Sequence, residues 1–120
     1  VIALCRIDER LLPTVDFGHL NARTTAALFE EAIEKVFEEI ENGLGRPMQR
    51  IHSHFSKIEY SKGGEVRHLT FVDEEFGPSF EEVLNVTVRK SGAGFICESA
   101  GTQAPDALLM KQYYDRIRSK

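Results

Sequence analysis

The chain has no tryptophan, only two cysteines, and no apolar run longer than the five residues from Val1 to Cys5. Each shortage removes a class of protein. A membrane-crossing helix needs roughly 20 apolar residues, so a soluble, cytoplasmic protein without membrane partners is expected. Cys5 and Cys97 form no C-x-x-C pair, which argues against a zinc ribbon or a disulfide framework and for two buried thiols in a reducing compartment. Repeats, low-complexity tracts and a signal-peptide pattern are missing too. Gly92-x-Gly94 is read as part of a hairpin turn, not as a strand-to-helix phosphate loop. Asn85-Val86-Thr87 spells a glycosylation acceptor, which a cytoplasmic strand would not use.

Positive charge is also in short supply. Fifteen Lys and Arg face nineteen Asp and Glu, a formal net charge of −4, which makes a nucleic-acid partner unexpected. Residues 1–45 hold nine acids against four bases, so the acidity is concentrated early in the chain, on the first helix. What remains is ordinary globular composition: 42 % hydrophobic and 28 % charged residues over 120 positions, enough to bury one core and consistent with a single domain spanning 1–120.

The clearest periodicity runs from Ala22 to Leu44. Ala26, Phe29, Ile33, Val36, Phe37, Ile40 and Leu44 recur at three- and four-residue steps, with seven charged residues on the opposite side, which predicts an amphipathic helix. Asn21, Thr24 or Thr25 can cap its start, and Asn42-Gly43 is expected to stop it. Before it, Val1–Ile7 is read as a strand and Thr14–Phe17 as a second short extended piece. The hexapeptide Arg6-Ile7-Asp8-Glu9-Arg10-Leu11 resembles the opening of mannose-type phosphotransferase IIB subunits. Leu12-Pro13-Thr14 follows where those subunits continue with a phosphate-accepting histidine, so no active group carries over.

After the helix the period shifts to two. Lys62-Gly63-Gly64 turns a hairpin within 49–74, with Ser61 opposite Glu65, Tyr60 opposite Val66, Glu59 paired with Arg67, and Phe55 opposite Phe71. Ser79-Phe80-Glu81-Glu82 has capping-box spacing, enough for one helical turn. A second hairpin is expected where Leu84, Val86 and Val88 alternate and Phe95-Ile96-Cys97 returns, with Val88 facing Phe95 and Val86 facing Cys97. Pro105 and Asp106 open a last helix whose stripe is Leu109, Met110, Tyr113 and Ile117. The expected architecture is α+β: an antiparallel sheet of two hairpins, with or without the N-terminal strand, and the long N-terminal and C-terminal helices packed on one face.

Function is less legible. The face of the first hairpin carrying Tyr60, Val66, His68 and Val72 is apolar for a solvated surface, which favours a small non-catalytic binding module, homodimeric or holding a protein or small-molecule partner, and needing no cofactor. An alternative is a metal-dependent enzyme. His52 and His54 are two apart on a strand and point the same way, and the hairpin register sets Glu74 across from His52, a set that could bind a divalent metal. A further alternative rests on element order: β-α-β-β-β-α with a basic last helix is similar in outline to ribosome hibernation factors, which implies RNA association.

Overall fold

The computed structural model describes residues 1–24, 29–45, 50–90 and 92–119; Thr25, Ala26 and Gln49, the first residue of the expected hairpin, lie outside them. Its elements in chain order are α1 (Ile2–Cys5), β1 (Thr14–Asp16), α2 (Phe17–Thr24), α3 (Phe29–Leu44), β2 (Arg50–Phe55), β3 (Lys57–Ser61), β4 (Gly64–Leu69), α4 (Phe80–Lys90), β5 (Gly92–Cys97) and α5 (Gln103–Arg118). The fold mixes helices with two small sheets, one of three strands in the order β1-β2-β5 and one formed by β3 and β4.

The main sheet corrects the expected architecture. Both of its pairings are parallel, so it is not built from hairpins, and helices carry the chain back between strands. The misreading lies in residues 80–90. Leu84, Val86 and Val88 do alternate, yet Phe80, Val83, Leu84 and Thr87 also fall at helical spacing, and the helix wins. Its start is fixed by the expected capping box: Ser79 Oγ accepts the Glu82 backbone N–H at 3.3 Å and lies 3.1 Å from the Glu82 carboxylate. Val86 and Val88 are therefore helical and cannot face Cys97 and Phe95 across a hairpin.

Alternation within the strands decides which face is covered. Val15, Ile51, Ser53, Phe55 and Cys97 are buried on one side of the sheet, while Thr14, His52, Gly94 and Ile96 are exposed on the other. Helices α3, α4 and α5 pack in sequence against one another and supply the core over the buried side. As its spacing predicts, α3 buries Phe29, Ile33, Phe37 and Ile40, and the Phe17 ring bridges it to β5 at 6.2 Å from Phe37 and 5.9 Å from Phe95. Glu34 on its acidic side meets Arg89 of α4 at 2.9 Å, so that side is not wholly given to solvent.

Two further expectations shift. Val1–Ile7 contains a helical turn, because Ile2 packs on Gly43 so closely that a Cβ there would lie 2.7 Å from its side chain, and the Arg6 guanidinium binds the Gly43 carbonyl at 2.5 Å. Helix α3 runs through Gly43, and Gly45 at φ 71° takes the left-handed position just past its end. The hairpin β3–β4 holds its register from Lys57–Leu69 through Glu59–Arg67, with the expected ion pair at 2.6 Å. A bulge then moves Tyr60 opposite Glu65 and Ser61 opposite Gly64. Phe55 and Phe71 meet as rings 5.2 Å apart, although no ladder joins them. Asp106, buried in the first turn of α5, ties this region down by accepting the Phe71 backbone N–H at 3.2 Å.

Candidate metal centre

In parallel α/β sheets the carboxyl ends of neighbouring strands open towards one mouth, and that is where ligands bind. Three polar side chains stand at that mouth. Asp16 ends β1 and is the register partner of His54 near the end of β2. Glu98 directly follows β5, and its backbone N–H continues the pairing by donating to the Phe55 carbonyl at 2.8 Å. Each projects from the face that the helices leave open, and each is half-buried.

Their ligating atoms converge. His54 Nδ1 lies 3.4 Å from Glu98 Oε1 and 3.9 Å from Asp16 Oδ2, and one donor atom from each of the three residues falls within 4.8 Å of the others. One imidazole and two carboxylates form an oxygen-rich set suited to a divalent cation of the manganese, iron or zinc type. Two negative charges and one neutral ring also match a +2 ion in a partly desolvated position. The donor set therefore fits a metal.

A second cluster adjoins it. Asp16 Oδ1 accepts the His19 backbone N–H at 2.9 Å, so Asp16 caps α2 with one oxygen while turning the other towards the mouth. The His19 ring lies 3.9 Å from Asp16 Oδ2 and 3.4 Å from Glu65 Oε1 on β4. Arg23 donates to the same Glu65 oxygen at 3.0 Å. The Glu65 backbone N–H and then the Arg23 guanidinium hold its carboxyl below the usual carboxylate range, with His19 adding less. His68 sits edge-on to His19 at 5.6 Å and is bound through Nδ1 to the buried Ser56 hydroxyl at 2.7 Å. Gly18 lets α2 come this close, since a Cβ there would lie 2.5 Å from the Ser56 carbonyl oxygen.

The residues singled out from sequence fare differently. His52 and His54 do share one face of β2, with their rings 5.2 Å apart, but His52 is not among the three converging donors. Glu74 does not lie across from His52. The neighbours of β2 are β1 and β5, so the hairpin register, which begins at Lys57–Leu69, never extends to that pair, and Glu74 is exposed in the loop after β4. Tyr60 is half-buried against Phe76 at 5.2 Å, His68 turns to Ser56, and Val66 and Val72 are exposed at 57 % and 86 %. Asp16 and Glu98 were missed as site residues. The available signal was an acid at the end of each short apolar run, and it acquires meaning only when the strands are parallel.

No family model matches the chain, and no solved structure matches it. Among curated proteins it is similar to an uncharacterized protein of Methanocaldococcus jannaschii, 36 % identical over an alignment of 115 residues that covers 93 % of this chain. The alignment covers 41 % of the relative, so the chain spans about two fifths of that protein's length.

Proposed function

We infer that this chain carries a divalent-metal centre for hydrolytic chemistry, held by Asp16, His54 and Glu98, with His19 beside them. The observation behind this reading is the convergence of three donor atoms, from the carboxyl ends of three adjacent parallel strands, to within 4.8 Å of one another. It replaces the His52, His54 and Glu74 set and keeps the same class of chemistry. Three protein ligands leave coordination positions for water and substrate, and a bound cation would supply Lewis acidity there. The chain's own groups orient and charge the site. Asp16 is fixed by its cap on α2, and the Glu65–Arg23 pair lies beside the His19 ring. Zinc or manganese titration of metal-stripped protein should give stoichiometric binding that Asp16→Asn, His54→Ala and Glu98→Gln each weaken. Binding unaffected by all three would remove the centre.

A second reading rests on Val66 and Val72, exposed apolar side chains on β4 and the loop after it. It is the non-catalytic module, cytoplasmic and homodimeric through this hairpin, with Tyr60 and His68 beside the contact. Light scattering at high concentration tests it: a monomer, unchanged by Val72→Asp, would rule it out. Among the described residues no helix is long and apolar enough to cross a membrane. The outline likeness to ribosome hibernation factors loses its basis, because the observed element order is not the one it needed.

A further inference from the structure

His52 is the histidine of the pair that the metal set does not use. It sits two residues before His54 on the open face of β2, level with Thr14 on β1 and Gly94 on β5. Both flanking residues are small, and a Cβ added at Gly94 would meet nothing within 4 Å. The His52 ring packs on His54, with centroids 5.2 Å apart and planes at 88°.

His54 needs such a contact. An imidazole ligand must hold its ring plane towards the ion, and the torsion that sets that plane is broad. Metal-bound histidines are usually held by a hydrogen bond from the second ring nitrogen to a carboxylate or carbonyl. Among the described residues no such bond reaches Nε2 of His54, whose Nδ1 is turned to Glu98 at 3.4 Å and Asp16 at 3.9 Å.

Resting on the metal centre inferred above, we propose that His52 is a positioning residue: its ring, packed edge-to-face on His54, stands in for the missing hydrogen bond and fixes Nδ1 towards the cation. Its role is steric and independent of its own ring nitrogens. Phenylalanine in its place should therefore serve as well, and alanine should not.

The test is a cobalt(II) titration of the metal-stripped chain, followed by visible absorption, on the wild type, His52→Ala and His52→Phe. His52 is exposed, so both variants should fold, and equal urea midpoints check this. Losing the ring contact should weaken cobalt affinity roughly three- to tenfold and alter the visible band, while His52→Phe stays within about twofold of wild type with its band unchanged. Wild-type affinity and spectrum in His52→Ala would overturn the proposal. So would a His52→Phe variant as weak as His52→Ala with a band showing one nitrogen fewer, because His52 would then be a ligand. If wild type binds no cobalt, the centre itself is absent and the role of His52 falls with it, an outcome distinct from both others.

Discussion

The two faces of the parallel sheet are made by the same strands and do opposite things. On one, Val15, Ile51, Phe55 and Cys97 are sealed beneath the helices with α3 and α4 side chains. On the other, Asp16, His54 and Glu98 gather their polar atoms, while Thr14, His52 and Ile96 stay exposed. Adjacent residues thus serve different faces: Phe55 is sealed in the core and His54 turns its ring to the open side, one position apart. The lesson is that period-two alternation separates stability from chemistry within a single strand. Substitutions on one face should leave the property of the other intact.

The strongest challenge to that separation is Phe55→Ala, which empties a fully buried position and should cost about 3–5 kcal/mol in urea unfolding. The fraction that remains folded should still titrate with cobalt at wild-type affinity; a matching loss of affinity would show that the faces are coupled. Gly18→Ala comes next. A Cβ 2.5 Å from the Ser56 carbonyl forces α2 outward, at about 1–3 kcal/mol, and this is the one substitution expected to disturb both faces, because His19 moves with the helix.

A smaller effect separates the faces by pH. Burial, and then the Asp106 carboxylate, push the Cys97 thiol up to about 11. The unfolded chain loses this proton near the ordinary thiol value while the folded chain keeps it. The stabilisation is therefore fully present at neutral pH and is lost as pH rises through the folded value, on the order of 1–2 kcal/mol. Cys97→Ala should flatten the fall in urea midpoint above pH 9, and an unchanged slope would show that the thiol is not shielded. Smallest in stability is Asp16→Asn. Asparagine caps a helix as well as aspartate, so the midpoint should move by less than about 0.5 kcal/mol while metal affinity drops about tenfold or more. A large stability loss with unaltered binding would reverse the assignment of the two faces.

The parts of the molecule legible from sequence are those governed by local contacts. The stripe Phe29, Ile33, Phe37 and Ile40 is buried as its spacing requires, and the Glu59–Arg67 pairing follows from counting back from Gly63-Gly64. The strand direction was not legible, because Val15, Ile51 and Phe95 belong to short runs whose partners lie far away in sequence, and only helix-bearing crossovers make them parallel. Alternation of Leu84, Val86 and Val88 suggests a strand and hence a second hairpin where a helix forms, and carrying the first hairpin back to residue 49 gives His52 the wrong neighbour. The proposed metal set is hidden in the sequence because Asp16, His54 and Glu98 are separated by 38 and 44 positions and meet only through the register of β1, β2 and β5.

Asp16 gives its two carboxylate oxygens to different tasks, one to the His19 amide at the start of α2 and one to the mouth of the sheet. Any ion drawn to the second oxygen stiffens the group that holds the first. The His19 amide proton therefore becomes a reporter wired to the site, and its rate of exchange with deuterium should record occupancy from inside the helix, without any signal from the metal itself.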